Sequence, residues 1–170
     1  GNIFKNCYRE LIGLEAYGAT GVVEDVTVTG NVLMASELAG YHQGGSVGPA
    51  LLVGGSTSLG TVRNCTVTGN TIQVRDNVAS SIYRGIDITG GTSNPVEDCL
   101  VSNNMVYTPS GAGIWAGALG QVTRNCKVSD NTIYGANAAA SGTASAITLR
   151  NATGFTVQDN KVRGSAHVYA

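Results

Sequence analysis

Hydrophobic and polar residues alternate along short stretches of this chain, and each stretch leads to an asparagine. Five such phrases end at Asn31, Asn70, Asn104, Asn131 and Asn160, which are 39, 34, 27 and 29 residues apart. Apolar side chains stand five and three residues before each asparagine, and mostly polar ones lie between them. A period of two predicts a β-strand with one buried face.

The same alternation occurs twice more in each repeat, so that every repeat contains three predicted strands. One strand follows the asparagine, with its apolar residue two positions later, at Leu33, Ile72, Val106, Ile133 and Val162. Another precedes the phrase, at residues 14–16, 51–53, 86–88, 114–116 and 147–149. Three short strands in about 30 residues predict a parallel β-helix, and parallel crossovers are right-handed.

The predicted fold is therefore all-β: a right-handed, single-stranded parallel β-helix, a solenoid of about five to six rungs with three short strands per rung. Each repeat is too small to bury its own apolar side and has to stack on its neighbours. Residues 1–170 are expected to form a single domain. The chain starts at Gly1 in the middle of a repeat, so it is expected to be a fragment of a longer chain.

The repeated asparagines and cysteines are predicted to be structural. Asparagine tolerates the left-handed backbone of a sharp turn, and stacked carboxamides can donate to one neighbour and accept from the other. Cys65, Cys99 and Cys126 occupy one inward position, and Cys7 is expected to begin their column. Their parallel Cβ directions suit neither a disulfide nor tetrahedral zinc. We therefore predict free thiols, with no metal and no cofactor.

The sequence argues against nucleic acid as a partner and against a membrane span. Only 12% of the residues are charged and the net charge is −1, so there is no basic stripe for nucleic acid. No apolar run approaches the ~20 residues of a membrane span. The polar residues are mainly Thr, Ser, Asn and Gly.

The phrase Asn-Cys-x-Val-x-x-Asn-x-Ile at residues 64–72 resembles the pectate-lyase-like right-handed parallel β-helix superfamily. This group includes polysaccharide lyases, glycoside hydrolases, sugar epimerases, bacteriophage tailspikes and bacterial adhesins. Low charge and irregular loops make the chain most like a tailspike or polysaccharide depolymerase. The resemblance implies a virion-tail or secreted homotrimer that binds bacterial capsular polysaccharide or lipopolysaccharide, and whose parent protein is a glycoside hydrolase or polysaccharide lyase.

Two other functions stay open, because the motif specifies a fold and not a reaction. One is a non-catalytic surface adhesin or structural stalk. The other is a polysaccharide lyase or sugar epimerase whose active rungs lie upstream. The histidine and paired-aspartate signatures of polygalacturonase-like enzymes are absent, and so is a pectate-lyase-like calcium cluster.

The candidate catalytic residues come from the outward column of the upstream strands. This column is predicted to contain Glu15, Leu52, Asp87, Trp115 and Thr148. Glu15 and Asp87 would then be two rungs apart, roughly 9–10 Å at ~4.8 Å per rung. That separation is compatible with an inverting acid and base pair. Two solvated charges are the simpler alternative.

The candidate substrate-binding residues are mainly aromatic, because an aromatic ring can cover the apolar face of a sugar. Tyr107 and Tyr134 fall in the outward column after the asparagines, together with Met34, Gln73 and Arg163. Further candidates are Trp115, Arg84, Tyr83 and His42. The alternatives are a subunit contact or a packed loop for the aromatic residues, and an ion pair with Asp87 for Arg84.

Overall fold

The computed structural model describes residues 1–5, 10–18, 20–36, 49–54, 60–75, 84–108, 111–118, 120–135 and 145–164. All regular secondary structure within these ranges is β-strand, and the 21 strands form four parallel sheets. The prediction of an all-β parallel β-helix is confirmed.

Each sheet collects one strand from successive turns of the chain. Sheet A contains β1 (Ile3–Lys5), β5 (Val32–Ser36), β9 (Thr71–Arg75), β13 (Met105–Tyr107), β17 (Thr132–Tyr134) and β21 (Lys161–Arg163). Sheet B contains β2 (Ile12–Leu14), β6 (Leu51–Gly54), β10 (Arg84–Thr89), β14 (Ala112–Ala116) and β18 (Ile147–Leu149). Sheet C contains β3 (Val22–Glu24), β7 (Thr61–Arg63), β11 (Val96–Glu97), β15 (Thr123–Arg124) and β19 (Ala152–Thr153). Sheet D contains β4 (Thr27–Thr29), β8 (Thr66–Thr68), β12 (Leu100–Ser102), β16 (Lys127–Ser129) and β20 (Thr156–Gln158).

A rung follows the order B, C, D, A. The described residues form five such rungs, and β1 belongs to a preceding one. The strands of sheet C are only two or three residues long and add a fourth short strand to the three predicted for each rung.

The core lies inside the coil and is built from inward columns. In sheet A, Leu33, Ile72, Val106 and Ile133 pair in register and are fully buried. Burying such a side chain contributes about 1.5–3 kcal/mol. Gly85 of sheet B leaves space for this column, because a Cβ at Gly85 would lie 2.3 Å from Cγ1 of Val106.

The repeated asparagines form a continuous hydrogen-bonded ladder between sheets D and A. Asn31, Asn70, Asn104 and Asn131 each donate both the backbone N–H and the side-chain Nδ2 to Oδ1 of the asparagine in the next rung, at 2.9–3.1 Å. Asn160 is the last acceptor. This confirms the predicted pairing of carboxamides. Asn2 extends the ladder to a sixth member, with Nδ2 3.3 Å from Oδ1 of Asn31.

The backbone argument for these asparagines is wrong. Positive φ angles occur one residue before the ladder, at Gly30, Gly69, Asn103, Asp130 and Asp159, and not at the ladder asparagines themselves. A second left-handed column precedes sheet D, at Asp25, Asn64, Asp98, Asn125 and Gly154. The sharp turn is therefore made by small or Asx residues that face solvent, and the ladder asparagines are selected for their side-chain hydrogen bonds.

The cysteine column is present as predicted for the three cysteines that the structure describes. Cys65, Cys99 and Cys126 are free and buried, and each Sγ donates to the carbonyl oxygen two residues earlier, at 3.3 Å. Cys7 lies outside the described residues. The hydrogen bond to Cys126, together with burial, raises the pKa of Cys99 to about 12.

We expect these three thiols to be unreactive in the folded protein, because all three are buried and a thiol needs access to the reagent. The measurement is labelling by iodoacetamide in a Cys7→Ser background, before and after unfolding in guanidinium chloride. The unfolded chain should take up three labels and the native chain essentially none. Native labelling as fast as that of the unfolded chain would contradict the buried column.

Candidate functional site

The outward column of sheet B differs from the prediction in its first member. Leu52, Asp87, Trp115 and Thr148 are in register as predicted. The residue opposite Leu52 in the first rung is Gly13, because Ile12 pairs with Leu51. The placement of Glu15 in this column was therefore wrong: residues 12–14 form the strand, and Glu15 follows it.

The side chain of Glu15 nevertheless returns to the same face. Its Oε1 lies 3.3 Å from the position that a Cβ on Gly13 would occupy. Its Oε2 accepts a hydrogen bond from the Tyr17 hydroxyl at 2.8 Å. The carboxylate is thus engaged locally, two rungs away from the strand of Asp87.

Asp87 is 5% exposed and is held by two neighbours. Arg84 forms an ion pair with its Oδ2, and the Thr89 hydroxyl donates to its Oδ1. Burial raises the pKa of Asp87 above its ordinary value, and Arg84 and Thr89 offset this only in part. The negative charge of Glu10 also raises this pKa. Glu10 is not among the site residues predicted from the sequence.

Trp115 is directed outward but is only 5% exposed. The guanidinium carbon of Arg84 lies 4.0 Å from the ring centroid, and that of Arg150 lies 5.0 Å away. Its Nε1 donates to the carbonyl of Gly117 at 2.7 Å. Cation–π contacts of this kind stabilise a covered aromatic ring. Trp115 therefore does not offer an open ring face to a sugar in this structure. For Arg84, the sequence left substrate binding and an ion pair with Asp87 as alternatives, and the structure shows the ion pair.

The outward face of sheet A presents the accessible aromatic surface. Tyr107 is 44% exposed and pairs in register with the half-buried Tyr134 on the next rung. The predicted column is confirmed in full, since Met34, Gln73, Tyr107, Tyr134 and Arg163 are successive partners.

A groove of about 300 Å³ lies beside the two tyrosines. Its walls include Gln73, Thr71 and the half-exposed Met105. Gln73 and Thr71 can both donate and accept hydrogen bonds. The site thus combines apolar ring faces with a few polar groups, which is the usual composition of a ligand site. We call Thr71, Gln73, Met105, Tyr107 and Tyr134 the tyrosine groove.

Tyr83 and His42 lie outside the described residues, so their predicted roles stay predictions. A second groove of about 410 Å³ lies between the fourth and fifth rungs, beside Gln121, Arg124 and Asn151. Across the described ranges, no group of three or more His, Cys, Asp and Glu side chains could hold a metal ion. The same ranges contain no helix with the length and hydropathy for a membrane crossing.

The fold and the groove together define a parallel β-helix with an aromatic patch on one flat face. The family described as "Right handed beta helix region" matches residues 1–169, and the chain belongs to it. This membership supports the predicted handedness. No curated protein and no solved structure is significantly similar to the chain.

Proposed function

We propose that this chain is a polysaccharide-binding β-helix segment and that the sugar chain lies along the outward face of sheet A, across the tyrosine groove. The observation that carries the proposal is the in-register pair Tyr107 and Tyr134 on adjacent rungs, beside an open groove. Membership of the right-handed β-helix family is consistent with a polysaccharide-related function in general.

The chemistry of the groove suits a sugar chain. Adjacent rungs are ~4.8 Å apart, which is comparable to the length of one pyranose ring. Two consecutive sugar units can therefore place their apolar C–H faces over consecutive tyrosines. The Gln73 amide and the Thr71 hydroxyl lie on the same face and can bond to sugar hydroxyls.

The proposed ligand is a bacterial capsular polysaccharide or lipopolysaccharide. The proposed setting is a tailspike-like homotrimer on a virion tail or a secreted protein. These proposals rest on the resemblance of the repeated phrase and on the open aromatic face. A stalk that only supplies length has no need of an accessible tyrosine pair.

We expect Tyr107→Ala and Tyr134→Ala each to weaken polysaccharide binding by about tenfold, which is the loss of roughly 1.4 kcal/mol of stacking. Binding is measured by glycan array with purified bacterial polysaccharides and then by calorimetry on the best ligand. Tyr17→Ala is the matched control, since Tyr17 is also exposed but lies beside Glu15 on another part of the surface.

Equal loss in Tyr17→Ala and Tyr107→Ala would contradict the groove as the binding surface. No binding to any polysaccharide would favour the stalk. Release of reducing ends from the bound glycan reports cleavage. If Glu15→Gln and Asp87→Asn abolished that release, the two carboxylates would have the catalytic roles predicted for them.

A further inference from the structure

The rung that follows Tyr134 carries two basic residues on the same outward face. Tyr134 pairs in register with Arg163, and Thr132 pairs with Lys161, so both cations lie on the outward face of β21. Both side chains are exposed. The groove therefore has a positively charged end, about one rung of ~4.8 Å beyond the second tyrosine.

These two cations differ from three other basic residues that the structure describes. On sheet C, Arg63 is paired with Glu24 at 2.6 Å and Arg124 with Glu97 at 2.7 Å. On sheet B, Arg84 is paired with Asp87. Lys161 and Arg163 have no ion-pair partner within the described ranges.

The described strands of this face carry no negative charge that could pair with them. None of the six strands of sheet A contains Asp or Glu. The nearest acid in the sequence is Asp159, which lies in the left-handed turn before β21. An exposed guanidinium and ammonium side by side on a strand attract an anion, and a guanidinium fork matches a carboxylate with two parallel hydrogen bonds.

Given the proposed function, we propose that the ligand is an acidic polysaccharide, and that the sugar unit after the two stacked on Tyr107 and Tyr134 carries a carboxylate bound by Arg163 and Lys161. The tyrosines supply the apolar contact and the two cations select the charged unit. A net charge of −1 gives the whole chain no general attraction for anions, so the selectivity is local.

The test compares one polysaccharide in two forms. A capsular polysaccharide with a uronic acid in each repeat is used as purified, and again after carbodiimide and borohydride treatment has reduced its carboxylates to hydroxymethyl groups. Wild-type protein should bind the acidic form about tenfold more tightly than the reduced form. The preference should shrink as salt is added, because the cations are exposed.

Arg163→Gln should abolish most of this preference while changing affinity for the reduced form by less than about twofold. Lys127→Gln is the matched control, because it removes one positive charge from a strand of sheet D and should leave the preference intact. Tyr107→Ala should weaken binding of both forms alike.

The outcomes separate the two proposals. Equal binding of both forms by the wild type would overturn the acidic ligand and leave polysaccharide binding standing. A preference unchanged in Arg163→Gln would place the anion elsewhere on the chain and overturn the assignment to β21. Binding of neither form, nor of any other polysaccharide, would overturn the proposed function itself.

Discussion

Replacing Asn104 by alanine should lower the free energy of unfolding by about 4 kcal/mol. The side chain is 1% exposed; its Oδ1 accepts from the backbone N–H of Asn70, and its Nδ2 donates to the carbonyl of Val67. Alanine leaves these two groups buried without partners, at about 1–3 kcal/mol each. The ladder bond to Asn131 is lost as well. Equilibrium unfolding in urea measures the change.

The control is the neighbouring residue. Asn103 is exposed and has a φ of 54°, a conformation that glycine adopts readily. Asn103→Gly should therefore change the free energy of unfolding by less than about 1 kcal/mol. If the two variants were equally stable, the ladder would contribute nothing beyond the turn that precedes it.

Arg84→Met should be the second large effect, with a loss of about 3–5 kcal/mol near neutral pH. The substitution leaves the Asp87 carboxylate buried without its ion-pair partner, and that is the usual cost of such a change. Methionine keeps an apolar side chain beside Trp115, so packing changes little. The double variant Arg84→Met/Asp87→Leu should regain much of the loss, since it removes the stranded charge.

The single variant Arg84→Met should recover stability on acidification. Burial already raises the pKa of Asp87 in the folded protein, and removal of Arg84 raises it further. Between the ordinary and the raised pKa, the folded state binds a proton that the unfolded state does not, so stability increases as pH falls. The difference between Arg84→Met and wild type should therefore be smaller at about pH 4.5 than near neutral pH. A difference independent of pH would exclude a stranded carboxylate as the cause.

The periodic parts of the molecule could be predicted because each column repeats one residue type. The five asparagines and the three cysteines recur at fixed offsets in the repeat. The residue that each one contacts in the next rung therefore follows from the sequence alone. Asn2 was missed although Phe4 follows it at the same offset as Leu33 follows Asn31. Sheet C was missed because two-residue strands such as Val96–Glu97 are too short to show alternation.

The site was harder to predict because it depends on register and on covering side chains. Residues 12–14 and 14–16 both alternate, and only the pairing of Ile12 with Leu51 decides between them. The burial of Trp115 involves Arg84 and Arg150, which come from the rungs on either side. Nothing in the local sequence of Trp115 indicates those contacts. Tyr107 and Tyr134 were placed correctly because their column is set by the ladder.

The asparagine ladder also gives the coil a direction. The carboxamides of Asn31, Asn70, Asn104 and Asn131 each donate to the ladder asparagine of the following rung, and each of these acceptors is therefore bonded from the preceding rung. One full turn of chain is consequently an interchangeable module, with a donor side and an acceptor side that match those of any other turn. Duplication of such a module within the gene lengthens the rod without a new interface, provided that it is inserted in the same orientation. Such a duplication adds one strand to each of the four sheets, including sheet A, which carries the tyrosines.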